Sequence, residues 1–143
     1  MPSLIEKYVK TGKLRIVFRD FPVPSHTSAV RAAHAAHCAA DQERYWDMHD
    51  KLFANADKLG GTHDADFALF RGFAQDLGLD VEQYMGCMES RKYLDRIAED
   101  VVNARALGIT GTPTYVLNGE LLVGLYPTGV WDNLIDARLN KPK

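Results

Sequence analysis

Only two short parts of this 143-residue chain carry strand patterns, and they flank a long stretch that reads as helix throughout. The first is Leu14-Arg15-Ile16-Val17-Phe18-Arg19, which alternates well enough for a half-buried strand and ends at Asp20-Phe21-Pro22. The second opens with Thr112-Pro113-Thr114-Tyr115-Val116-Leu117, passes through Asn118-Gly119 and returns as Glu120-Leu121-Leu122-Val123-Gly124. Asn-Gly tolerates the two positive φ angles of a type I′ turn, so these runs read as a hairpin. From Thr27 to about Gly108 the pattern is helical. A lone strand and a hairpin around an all-helical segment imply one α/β layer carrying a helical cap.

Turn residues divide the helical stretch. Ser28–Ala40 is alanine-rich and has high intrinsic helix propensity. Asp41 is placed to cap a second helix whose Tyr45, Trp46, Met48, His49, Leu52 and Phe53 face a core. In that setting Tyr45, Trp46 and Phe53 read as core residues and not as a stacking platform for bases. After the Gly60-Gly61-Thr62 loop, Phe67, Phe70, Phe73, Ala74 and Leu77 form an apolar stripe stopped by Gly78. Asp80-Val81-Glu82-Gln83 has the form of a capping box. Ser90 reads as the start of a longer helix with Leu94, Ile97, Val101 and Leu107 inward, closed by Gly108. Near the N-terminus Leu4, Ile5, Tyr8 and Val9 recur at helical spacing before Gly12, and Thr128 is set to cap a closing helix.

Composition removes several functions. Lys and Arg number 17 against 19 Asp and Glu, a net charge of −2, so nothing neutralises a row of phosphates and nucleic acid is not an expected partner. No apolar run approaches the ~18 residues of a membrane span. The opening MPSLIEKYVKTGK lacks the apolar centre of a secretory signal. The two cysteines, Cys38 and Cys87, stand 49 positions apart, which leaves neither a CxxC dithiol nor a four-cysteine zinc site. His34 and Cys38 share a helix face at i,i+4, the spacing of zinc ligands. Further ligands would have to come from His49, Cys87 or a carboxylate, and nothing in the sequence fixes them. His34, His37 and Cys38 therefore read as ordinary residues of an alanine-rich helix, with no metal expected.

Gly108-Ile109-Thr110-Gly111-Thr112-Pro113-Thr114-Tyr115, with Asn118-Gly119 behind it, resembles the cis-proline loop and hairpin of thioredoxin-like proteins. Val17-Phe18-Arg19-Asp20-Phe21-Pro22-Val23-Pro24 and Tyr45-Trp46-Asp47-Met48-His49-Asp50-Lys51-Leu52-Phe53 resemble the DsbA-like thiol-disulfide oxidoreductases, in which a helical insertion interrupts the thioredoxin fold. The resemblance runs from about Leu4 to Leu139. It implies an α/β, thioredoxin-like fold with an all-helical insertion. Residues 1–21 and 108–143 would form a partial thioredoxin-like domain and residues 22–107 the insertion.

Members of that family place a strand and then CxxC, at the start of their first helix, ahead of the point where this chain opens. By that resemblance the chain is N-terminally truncated and lacks the strand that lies between Leu14–Asp20 and Thr114–Leu117. Backbone groups on both sides then lose partners about 4.8 Å away. Three arrangements meet the deficit: an upstream part outside this chain, a strand donated by another chain or a homodimer, or direct pairing of the flanking strands. The first is favoured.

The implied activity is disulfide exchange with protein or peptide substrates through mixed disulfides, without a cofactor. The reacting sulfurs would lie outside this chain, leaving it inactive alone. Gly111, Thr112, Pro113 and Thr114 are the implied substrate-binding residues, Thr112 pairing its backbone with an extended peptide. Taken without the resemblance, they read as a structural turn. His26 is implied at the active-site rim, where a histidine can tune a thiolate; by itself it reads as an exposed loop residue. Asp20 reads equally as a buried acid or a turn former. Cys38 and Cys87 read as buried free thiols, whereas some relatives carry a second, non-catalytic bridge in this region. Closing that 49-residue span would stabilise by ~4 kcal/mol on the chain-entropy model. The family implies a periplasmic or other extracytoplasmic setting. Two further readings are a non-catalytic thioredoxin-like peptide-binding module and a relative of glutathione-dependent isomerases and transferases.

Overall fold

The alanine-rich run becomes the central helix of the larger unit in the structure, a computed structural model that describes residues 2–140. In chain order the elements are α1 (Pro2–Leu4, continued by a π-helical turn over Ile5–Val9), α2 (Ala29–Ala40), α3 (Tyr45–Ala54), α4 (His63–Asp76), α5 (Val81–Ser90), α6 (Leu94–Ala106), β1 (Thr114–Leu117), β2 (Glu120–Val123) and α7 (Thr128–Leu139). They fall into two compact units, Asp20–Thr110 and Met1–Arg19 with Gly111–Lys143.

In the helical unit, α2 touches α3, α4, α5 and α6. Its whole run His34–Ala39 is buried, as a helix surrounded by others must be. Ala35, Ala36 and Ala39 let neighbouring helices approach closely, and Met48, Leu52, Phe70, Phe73, Tyr84, Met85 and Met88 fill the space around them. Each large apolar side chain buried there contributes roughly 1.5–3 kcal/mol. Caps fix the ends: Thr62 Oγ1 accepts the Ala65 N–H at 3.2 Å, and Asp80 Oδ1 accepts the Gln83 N–H at 3.0 Å. The other arm of the expected capping box is replaced. Gln42 takes both backbone groups of Asp80, accepting its N–H at 2.8 Å and donating to its carbonyl at 3.1 Å.

The second unit is a hairpin on a helix pair. β1 and β2 are antiparallel, with Leu117 opposite Glu120 and Tyr115 opposite Leu122. Asn118 and Gly119 have φ of 50° and 88°, the turn chemistry expected from the sequence. Trp131 of α7 meets Tyr115 and Tyr126 edge-on, with ring centroids 4.6 and 5.8 Å away. Ile135 packs with Leu4 and Tyr8, and the Tyr8 hydroxyl donates to Asp136 Oδ1 at 2.9 Å.

Several expectations are corrected. Leu14–Arg19 forms no strand: among the described residues the sheet is β1 and β2 alone, and an extended segment is a strand only when another lies in ladder register with it. Ser90 ends α5 rather than starting α6, because Arg91 takes the left-handed conformation at φ 57° and closes the helix. Asp41 does not cap α3; its carboxylate receives Lys92 Nζ at 2.8 Å and the Tyr93 hydroxyl. Residue Pro127, not Thr128, holds the N-cap position of α7. Trp46 and Phe53 are not core residues, being 46% and 66% exposed. An aromatic-rich helix has more rings than one buried face can hold.

Candidate functional site

Gly111–Thr114 forms one continuous loop entering β1. The Thr112–Pro113 peptide is cis. The Thr114 hydroxyl donates to the Gly111 carbonyl at 2.7 Å, and the Gly124 N–H donates to the Pro113 carbonyl at 2.9 Å, which ties the loop to the end of β2. These bonds occupy the residues on either side of Thr112. Thr112 itself is exposed, and its backbone N–H and C=O have no hydrogen-bond partner among the described residues. The loop therefore presents one donor and one acceptor at the mouth of a strand, the arrangement that accepts an added extended segment.

The helical unit holds a groove of about 400 Å³ lined by Phe21, Pro22, Val23, Pro24, Ile109 and Thr110, with Arg105 and Gly108 at the end of α6. His26 is exposed, in the turn where its N–H donates to the Val23 carbonyl at 3.0 Å.

Beneath the surface of that unit lies a polar set that sequence reasoning did not assemble. His37 Nε2 lies 2.6 Å from Asp20 Oδ2, and the Asp20 N–H donates to Asp100 Oδ2 at 3.1 Å. All three side chains are buried. Asp20 is thus the buried acid of its two readings. The His37 ring lies between Tyr45 and Tyr93, at centroid distances of 5.4 and 5.2 Å. Burial, and then the Asp20 charge, pushes the Tyr45 hydroxyl above the ordinary tyrosine range, so it remains protonated. No spacing signal marks this set, since its members come from the start of the unit, α2 and α6.

A third buried acid, Asp66, accepts from Ser28 Oγ at 2.5 Å and Arg31 Nε at 2.8 Å, joining the start of α2 to α4. Arg31 pairs the charge that burial would otherwise disfavour. Cys38 and Cys87 form a disulfide between α2 and α5, so the bridge, not the pair of free thiols, is the arrangement found. His34 lies beside the two sulfurs, whereas His37, engaged with Asp20, does not join them. No helix among the described residues is long and apolar enough to cross a membrane.

Residues 1–137 match the family described as Thioredoxin. The chain is 28% identical to the alpha-DsbA1 of Wolbachia pipientis, covering 95% of this chain and 73% of that one, with a TM-score of 0.79. It is 27% identical to "Probable disulfide bond formation protein D" of Bacillus anthracis over 85% of this chain and 57% of that protein. It is also 37% identical to Na(+)/H(+) antiporter NhaA 3 of Salinispora tropica, over 87% of this chain but only 18% of the antiporter. The mixed architecture, helix-rich with a small antiparallel sheet, agrees with the DsbA-type neighbour, and with it the chain belongs to the thioredoxin family in its DsbA-like form.

Proposed function

We propose that this chain is the substrate-holding part of a DsbA-like protein thiol-disulfide oxidoreductase, acting on protein or peptide thiols and disulfides outside the cytoplasm. The observation that carries the reading is the exposed Thr112, whose backbone donor and acceptor, directly before the cis proline, have no partner among the described residues. Gly111, Pro113 and Thr114 shape that loop. The hairpin unit is the partial thioredoxin-like domain and the helical unit its insertion. The reacting dithiol is supplied from outside this chain, whose two cysteines are bonded to each other. Oxidising surroundings fit a bridge that persists. A strand donated by another chain, or by a second copy of this one, would complete the sheet.

A second reading, a non-catalytic peptide-binding module, is favoured by the chain's similarity to under a fifth of an antiporter, where such a unit is carried by a much longer protein.

Titration of the isotopically labelled chain with an unfolded, cysteine-blocked polypeptide tests the peptide-holding role. Amide shifts should centre on Thr112 and β1, and shifts elsewhere alone would count against it. An insulin-reduction assay of the same chain should give no turnover. Clear turnover would refute the assignment of the dithiol to another segment. An in-frame CxxC directly upstream favours the oxidoreductase over the module.

A further inference from the structure

The Cys38–Cys87 bridge has a third group beside it. A ring nitrogen of His34 and the two Sγ atoms all lie within 4.8 Å of one another. The His34 side chain is 3% exposed, yet its Nε2 has no hydrogen-bond partner among the described residues. Buried polar atoms are almost always hydrogen-bonded, so the position of this one calls for a role.

We propose that the reduced protein binds a thiophilic d10 cation such as zinc between His34, Cys38 and Cys87, and that the disulfide is the closed form of this site. His34 and Cys38 are already aligned on one face of α2 by their i,i+4 spacing, and α5 brings Cys87 to them. This supplies the ligand that sequence spacing could not fix. Tetrahedral zinc holds two thiolates with Zn–S near 2.3 Å, hence sulfurs about 3.8 Å apart. The Cα atoms of the two cysteines are 5.7 Å apart, so rotation of the side chains reaches that spacing without backbone movement. Two sulfurs and one imidazole leave zinc a fourth position for water.

Opening the site needs two electrons, which a dithiol provides. Cys87 is partly exposed while Cys38 is buried, so the dithiol's thiolate attacks Cys87 Sγ. The S–S bond breaks and its electron pair leaves on Cys38 Sγ, next to His34. The second thiol of the reductant then displaces Cys87, so the reductant ends as a disulfide and the protein as two thiols. Zinc uptake releases their two protons.

The full chain, reduced with a dithiol and freed of it anaerobically, should develop a sulfur-to-metal charge-transfer band with one equivalent of Co(II), which Zn(II) then displaces. The oxidised chain should give none. His34→Gln keeps both thiols and should weaken zinc binding at least about tenfold. Where that variant loses its fold by circular dichroism, the wild-type chain decides: zinc should shift the His34 ring nitrogen resonances of the reduced protein and not of the oxidised one. A reduced chain without the band overturns the site. So does zinc binding that neither His34→Gln weakens nor the ring resonances register.

Discussion

His37 and Asp20 stand 17 positions apart in sequence, and His37 Nε2 meets Asp20 Oδ2 at 2.6 Å with both side chains buried. Asp20 is the first residue of the helical unit and His37 belongs to its central helix. Through its N–H, Asp20 also holds Asp100 of α6. One short polar chain therefore fixes where the backbone enters the bundle. Because water is excluded, Asp20 and His37 satisfy each other's polar atoms.

Coupling between the two is open to a double-mutant cycle. Asp20→Ala and His37→Leu should each lower stability by about 1–3 kcal/mol, since each strands the other's polar atom. The double variant should lose less than the sum, by about 0.5–3 kcal/mol. Urea midpoints at constant slope give the numbers, and strict additivity would show that the two side chains act independently.

The bridge between α2 and α5 closes a 49-residue span within the helical unit. Cys38→Ala/Cys87→Ala should lower unfolding free energy by about 4 kcal/mol, chiefly through the freedom the unfolded chain regains. Urea unfolding of the variant against the oxidised protein measures it. A loss below about 1 kcal/mol would mean that the unfolded chain keeps these segments together regardless.

What could be read in advance was local. Asn118-Gly119 specifies its hairpin because the turn needs only two residues of positive φ, and Asp80 caps α5 through an N–H three residues on. The pairing of Asp20 with His37, or Cys38 with Cys87, depends on where helices pack, and no period in the chain encodes that. Leu14–Arg19 illustrates the opposite failure. Its residues have strand character, but hydrogen bonding in a sheet belongs to a pair of segments, and one was in hand. Trp46 and Phe53 show that aromatic content is no measure of burial, since α3 buries only Met48 and Leu52. Of the candidate site, the loop at Thr112 was legible through resemblance alone. The partnerless Nε2 of His34 became visible only with its surroundings.

Two glycines with open space around them should respond in opposite directions to the same substitution. Gly72 lies within α4 and Gly119 in the hairpin at φ 88°, and a Cβ at either would meet nothing within 4 Å. Gly72→Ala should stabilise by roughly 0.5–1 kcal/mol, because alanine is the better helix former. Gly119→Ala should destabilise by roughly 1–2 kcal/mol through the left-handed backbone alone. Thermal melts of the two variants decide the signs; a shared sign would remove backbone conformation as the cause.

Acid should weaken the fold through His34. Burial disfavours its charged form in the folded chain, while in the unfolded chain it titrates near the ordinary value of about 6.5. As the pH falls through that value the unfolded chain binds a proton that the folded chain resists, so stability declines toward acid and is level above about pH 7.5. His34→Leu should flatten this limb between about pH 7.5 and 5.5. Urea midpoints across that range test it, and parallel pH curves for the two proteins would assign the acid sensitivity elsewhere.

Main-chain recognition at Thr112 makes a prediction that side-chain recognition does not. If an extended peptide pairs with the free N–H and C=O of this residue, Thr112→Ala keeps both groups and should leave peptide affinity within about twofold. Thr112→Pro deletes the N–H and should weaken binding by about 1 kcal/mol, roughly fivefold, the worth of one net hydrogen bond. Affinity for an unfolded, cysteine-blocked polypeptide is measured by calorimetry, with circular dichroism confirming that both variants keep their helices. A large loss in Thr112→Ala, matched in Thr112→Pro, would make the hydroxyl or methyl group, and not the backbone, the feature that the peptide reads.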